Sequence, residues 1–266
     1  MFDLTTFAYT SAVLSIIAVV LWVASRIKND VGIVDSFWSL MILAAGISFF
    51  IIYTLHDHSV ISERSLLVLI LLSVWAIRLA AHITWRNWNQ EEDSRYQTIR
   101  KNNQPNFEFK SLYIVFLLQA FLALIVALPL MSVFSSAGKI NTLDYLAVAL
   151  WFVGMFFETI GDMQLAHFKS VKNNQGKVLD PGLWHYTRHP HYFGEFCIWW
   201  ACYLFAIASG YWWSIISPLL MSVLLLKVSG VSLLESTITE RRPEYVDYRR
   251  STSAFFPWFP KSSSNK

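Results

Sequence analysis

Apolar residues run along this chain in blocks of about twenty, with the polar residues gathered between the blocks. A helix needs about 20 apolar residues to cross a hydrocarbon core about 30 Å thick. The blocks predict seven spanning helices: Phe7–Ala24, Ile33–Leu55, Ser65–Ile83, Leu112–Phe134, Leu143–Ala166, Tyr192–Ala208 and Trp212–Leu234. Helix is the conformation the pattern requires, because a lipid-facing strand leaves backbone groups unpaired. The gap around Gly210 is short, so the last two helices are expected to form an antiparallel hairpin. Asp3, and no basic residue, precedes the first block, which is unlike a secretory leader and is expected to be retained.

Composition agrees with this picture. Hydrophobic residues make up 55% of the chain and charged residues 15%, with a mean hydropathy of +0.43. A soluble domain carries roughly a quarter charged residues, so this chain lacks the polar surface to stay in water. The expectation is an all-α, polytopic helical bundle: one membrane-embedded domain over residues 1–266. With seven spans, 17 of the 21 basic residues fall on one side, and only Arg64 and Lys139 on the other. The positive-inside rule then places the amino terminus outside, and loops 84–111 and 167–190 with the carboxyl terminus in the cytoplasm. That implies the inner membrane of a bacterium, or the endoplasmic reticulum membrane in a eukaryote. A net charge of +3 calls for no nucleic-acid partner. Cys197 and Cys202 sit in an apolar stretch, and there is no CxxC or HExxH pattern, so no metal site is expected.

The charges inside the blocks carry the chemistry. A charged side chain at membrane depth costs about 2.5–3.5 kcal/mol on insertion scales, so it faces a partner or a cavity. Glu158 and Asp162 lie one helical turn apart, with Lys169 two turns further along the same face. Arg188, His189, Pro190, His191 and Glu195 open the sixth block, where Pro190 suits a first helical turn. A helix start beside Arg188 and two histidines is a reasonable phosphate seat. Plainer readings exist for several of these groups. Snorkelling accounts for Arg78, His82 and Arg86, helix capping for Asp35, and solvation for the run Glu91–Asp93. Structural pairing with Lys227 or Arg78 accounts for Glu158 and Asp162. Taken together, the acids and bases describe a polar cavity open to the cytoplasm and able to hold an anionic ligand.

Two stretches make a resemblance specific. One is Glu158-x3-Asp162-x6-Lys169; the other runs unbroken from Asp180-Pro181-Gly182 through Arg188-His189-Pro190-His191-Tyr192-Phe193-Gly194-Glu195. With Val34-Asp35-Ser36-Phe37-Trp38, Glu92-Asp93-Ser94-Arg95-Tyr96 and the tail Arg241 through Trp258, they cover nearly the whole chain. In order and spacing they resemble the steroid 5α-reductase superfamily, and most closely its branch described as a reductase-like domain of unknown function. The resemblance implies an NADPH site in a cofactor half of about 143–260. It would be lined by Glu158, Asp162, Lys169, Tyr186, Arg188, His189, His191, Tyr192, Glu195, Glu235 and Tyr245. Lys169 stands where the steroid enzymes tend to have Arg, Glu158 where they have Asn, and His191 replaces the Asn of their Asn-Tyr-Phe-Gly-Glu run.

The implied reaction is reduction of an activated C=C bond in a lipophilic substrate arriving from the bilayer: an oxidoreductase acting on a CH–CH group. Hydride would reach the β-carbon of an enone while a protein acid polarises the carbonyl oxygen. Asp35 is the first candidate for that acid, with Tyr96 and His82 as second choices. An integral-membrane methyltransferase using S-adenosylmethionine is the alternative, because the isoprenylcysteine and phospholipid types share the pattern from Gly182 to Tyr192. A non-enzymatic transporter or lipid-binding protein is the third reading, and it would predict repeats or paired broken helices, which the sequence does not show. Reporter fusions at Lys139 and Lys266 test the topology. They are expected on opposite sides of the membrane, and finding both on one side overturns the seven-span arrangement.

Overall fold

The computed structural model describes residues 2–56, 61–228, 231, 235 and 244–261. The chain is all-helical among them. In order the helices are α1 (Leu4–Lys28), α2 (Ile33–His56), α3 (Glu63–Arg86), α4 (Ser94–Asn102) and α5 (Phe107–Val126). They continue as α6 (Leu128–Phe134), α7 (Thr142–Ser170), α8 (Pro190–Ala208), α9 (Ile216–Val223) and α10 (Tyr245–Ser251). Local chemistry fixes several of the ends. The Asp3 carboxylate accepts from the backbone N–H of Thr5 and Thr6 and caps α1, which closes on Asn29 in the left-handed region at φ 55°. Ser62 caps α3 and Asp93 caps α4 in the same way.

Among the described residues, five helices are long and apolar enough to cross a membrane: Leu4–Lys28, Ile33–Leu55, Glu63–Arg86, Phe107–Val126 and Thr142–Ser170. The sixth expected span is helical as α8, at 19 residues. The seventh is a shorter apolar helix over Trp213–Val228, and residues 229–230 and 232–234 of the expected span lie outside the described residues. The fourth span needs a correction. It starts five residues earlier than the apolar block, at Phe107, and stops at Val126 instead of reaching Phe134. Pro129 explains the stop: it has no N–H for the helical ladder, and it occupies the first turn of a new helix, α6.

Two compact units divide the chain. The first comprises Met1–Asn141 with Phe205–Ser217, and the second Thr142–Leu204 with Pro218–Lys266. In the first unit α2 is central, packing on α1, α3, α5 and α6. Ala45 and Phe49 of α2, Trp75 of α3, Phe116 of α5 and Leu130 of α6 are its fully buried side chains. Arg64, which the sequence places on the outer side, is 1% exposed and donates to the Lys139 carbonyl at 2.6 Å. Its guanidinium thus holds the segment after α6 in place.

In the second unit, α7 and α8 cross at backbone contact. A Cβ added to Gly194 would lie 2.5 Å from the Gly154 carbonyl oxygen and 2.5 Å from the Glu158 nitrogen. One at Gly161 would meet Pro190 and the His191 nitrogen at 3.0–3.2 Å. Only glycine permits this approach, which sets the Glu158–Asp162 face of α7 against the start of α8. Gly194→Ala is therefore expected to push the helices apart and destabilise the protein by about 1–3 kcal/mol, the usual cost of overpacking. Thermal unfolding in detergent checks this, and an unchanged Tm refutes the close crossing.

Candidate functional site

Polar side chains gather in two places, one in each unit. In the first unit, the opening turn of α2 presents Asp35 to α4. The Tyr96 hydroxyl donates to Asp35 Oδ1 at 2.5 Å, and Arg95 Nη2 to Asp35 Oδ2 at 3.0 Å. Arg95 also donates to Asp93, whose carboxylate caps α4. Burial, and then the charge of Asp35, raise the Tyr96 phenol well above its ordinary value, so Tyr96 keeps its proton at any working pH. Burial lowers Arg95, but its bond to Asp93 and the charge of Asp35 outweigh that, so the guanidinium stays charged. Asp93 is lowered: burial opposes, and the bonds from Arg95 prevail.

Asp35 and Tyr96, two of the three sequence candidates for the proton donor, thus share one hydrogen bond. The ring of the third candidate, His82, lies 6.1 Å from that of Trp85 on α3. The run Glu91–Asp93, read from sequence as a solvated face, is only partly that. Glu92 accepts from Arg100 at 2.8 and 3.0 Å and from the Val31 N–H at 2.9 Å, tying α4 to the α1–α2 turn.

The second cluster is built where the loop before α8 meets the tail. Gly182, at φ 71°, turns the chain into a short 3-10 helix over Gly182–His185. Trp184 then docks on α7 by donating to the Gly161 carbonyl at 3.1 Å. From there the tail runs back along the loop. Tyr248 donates its hydroxyl to the Trp184 carbonyl, Thr187 to the Phe255 carbonyl at 2.8 Å, and the Trp258 N–H to the Tyr186 carbonyl at 3.0 Å. The Arg188 N–H donates to Ser253 at 2.9 Å.

Arg188 is the centre of this cluster and is only 6% exposed. Its Nε and Nη2 grip Glu235 in a bidentate pair at 2.7 and 3.0 Å, while Nη1 donates to the carbonyls of Arg249 and Thr252 at 2.9 and 2.6 Å. A guanidinium has five N–H donors. Most of them are committed inside the protein, so Arg188 does not offer an open fork to a phosphate. Glu235 also meets His189 Nε2 at 3.2 Å and the Tyr245 hydroxyl at 3.3 Å. Burial would raise the Glu235 carboxyl, but the hydrogen bonds and charges of His189 and Arg188 prevail and pull it down to about 2. Burial and the Glu235 charge raise Tyr245.

Of the remaining candidates, Glu158, Asp162 and Glu195 are buried on the α7–α8 crossing. His191 lies against Tyr192 and Trp184, at ring distances of 4.2 and 5.6 Å. Tyr192 is half-buried, its ring contacting His189 as well. Lys169 and Tyr186 are exposed. Thr187, Thr252 and the role of Tyr248 were not read from the sequence.

A protein-family model described as "Protein of unknown function (DUF1295)" matches residues 21–252. The uncharacterized protein C594.04c of Schizosaccharomyces pombe is 26% identical over 268 residues, which cover 90% of this chain and 76% of the yeast protein. No solved structure matches.

Glu235→Ala leaves Arg188 buried without its counter-charge and is expected to cost about 3–5 kcal/mol of stability. A carboxylate pulled down on folding stabilises the fold above its unfolded value of about 4.5, and that contribution fades as pH falls towards 2. Acid unfolding curves should therefore flatten in Glu235→Gln relative to the wild type. Parallel curves would refute the ionised pair.

Proposed function

As a member of the family described as proteins of unknown function (DUF1295), the chain carries one buried and one partly buried polar cluster on a membrane-embedded frame, and we propose that it is an NADPH-dependent reductase of an activated C=C bond in a lipophilic substrate. The observation that carries this reading is the 2.5 Å hydrogen bond between Tyr96 and Asp35. Reducing an enone leaves an enolate oxygen that needs a proton, and a phenol that keeps its proton beside a carboxyl group suits that task. In the reaction the one Tyr96 O–H turns from Asp35 to the carbonyl oxygen, polarises it and delivers the proton, and the phenolate left behind is reprotonated from water; Arg95 holds Asp35 in place. Methyl transfer has no use for such a donor at a carbonyl.

The second unit is the proposed cofactor half, and what supports an anionic ligand there is a buried imidazole nitrogen and a set of exposed lysines. His189 Nδ1 is buried with no hydrogen-bond partner among the described residues, while its Nε2 is fixed on Glu235. Exposed Lys169, Lys172 and Lys177 supply charge for phosphates, although a lysine meets them as a point charge and not as a fork. Arg188 contributes by holding the Thr187–Phe255 junction, not by contact. NADPH, when bound, supplies the hydride. Glu158, Asp162, His191, Tyr192 and Glu195 complete the proposed lining, with Glu235, Tyr186 and Tyr245 behind them. The charge pattern orients both loops and tail towards the cytoplasm, where that cofactor is found, with the protein in a bacterial inner membrane or the endoplasmic reticulum.

Titrating the purified protein with NADPH and with S-adenosylmethionine tests the assignment. Saturable NADPH binding is expected. Tyr96→Phe should leave it unchanged while lowering turnover of lipophilic enones about 10²–10⁴-fold. Binding of S-adenosylmethionine without NADPH overturns the reductase reading in favour of the methyltransferase.

A further inference from the structure

Two neighbouring hollows in the first unit have opposite chemistry. A cavity of about 600 Å³ lies between the α1–α2 turn, the end of α3 and the link to α4. Its lining includes the carboxylates of Asp30, Asp35, Glu91, Glu92 and Asp93 against the single ammonium of Lys28. Arg95 and Arg100 offset part of that charge from outside the lining, through Asp35, Asp93 and Glu92. Amide and hydroxyl groups of Asn29, Ser36, Thr84, Asn87, Asn89 and Gln90 make up most of the rest.

The second hollow is a shallow apolar groove between α2 and α3. Leu40, Ile77, Ala80, Ala81 and Trp85 line it, and it shares Thr84 and Trp88 with the polar cavity. The two therefore form one path, apolar along the helices and polar at their end. From Ile77 to Trp85 the groove follows about 12 Å of α3 at 1.5 Å per residue. Trp85 and Trp88, 65% and 68% exposed, stand at the junction. Tryptophans of this kind mark the level where hydrocarbon gives way to headgroups.

We propose that this groove and cavity together bind an amphiphile drawn from the bilayer, with an apolar body along α3 and an uncharged hydroxyl or keto head in the cavity. The acidic lining selects the head. Lys28 in the lining and Arg86, Arg95 and Arg100 beside it offset much of the charge of the five carboxylates, but the balance stays negative and opposes a phosphate or carboxylate, whereas a neutral head finds amides and hydroxyls that both donate and accept. The inference rests on the reductase reading only in bringing such a head to Asp35; occupancy of the groove does not depend on it.

The test uses the full-length protein in lipid nanodiscs with two photoactivatable probes of equal chain length, a fatty alcohol and a fatty acid, at a pH of about 9. The carboxyl is then ionised. The alcohol is expected to label α2 and α3 peptides around Leu40 and Ile77 at least tenfold more than the acid. Ala81→Trp, at an exposed position that lines the groove, should remove that labelling while leaving the Tm unchanged. Equal labelling by both probes, or labelling that survives Ala81→Trp, overturns the proposal and leaves a lipid-washed surface. NADPH titration of the same samples is read separately. Its failure sinks the reductase assignment without altering the labelling result.

Discussion

A charge taken out of water must be met by an opposite charge or by hydrogen bonds, and both polar clusters of this protein are solutions to that constraint. Arg188 with Glu235 is the stricter case. Both groups are nearly buried, the pair is bidentate, and the remaining Arg188 donors are taken up by the carbonyls of Arg249 and Thr252. Because those carbonyls belong to the tail, satisfying one arginine also fixes the path of the chain from α10 to Phe255. In the other unit Arg95 serves Asp35 and Asp93 together, and so sets the position of α4 on the start of α2.

The two clusters differ in what they leave available. Around Arg188 nearly every donor has an acceptor, which makes a rigid junction. The imidazole of His189 is the exception: one nitrogen is held by Glu235, and the other has no partner among the described residues. Around Asp35 the phenol and guanidinium are held on one side, but the carboxyl group also borders an open cavity. A buried pair that is fully occupied builds structure, and one that lines a cavity is placed to act on a ligand.

Much of the frame was legible in the sequence, because membrane depth leaves a twenty-residue apolar period that few other structures share. The bounds of α2 and the existence of α3, α7 and α8 follow from that period alone. The end of α5 did not, since Pro129 lies inside an unbroken apolar block and its effect is on the backbone, not on hydropathy. Asp35 and Tyr96 were both picked out, but not as partners, and Arg95 was seen only as part of a motif. Their contact joins residues 61 apart, a separation with no periodic trace. Arg188 was noticed for the right reason, a charge where charge is expensive, and given a phosphate that the structure replaces with Glu235. Nothing in the spacing of positions 188 and 235 announces that pair. Glu92 looked like solvated surface because Arg100, eight residues on, lies across a helix start that the apolar pattern does not mark, and the Val31 N–H is 61 residues away.

The junction of loop and tail also bears on how the protein is made. Thr187 waits for the carbonyl of Phe255, 68 residues downstream, and Trp184 for the hydroxyl of Tyr248. While the ribosome is still building that stretch, the segment Trp184–Arg188 has no native acceptor for the Thr187 hydroxyl and no counter-ion for its guanidinium. The long apolar helix before it can enter the bilayer as it emerges, but the loop is finished only when nearly the last residues of the junction have been translated. Biosynthesis therefore closes this unit from its carboxyl end, after its hydrophobic frame is already in the membrane.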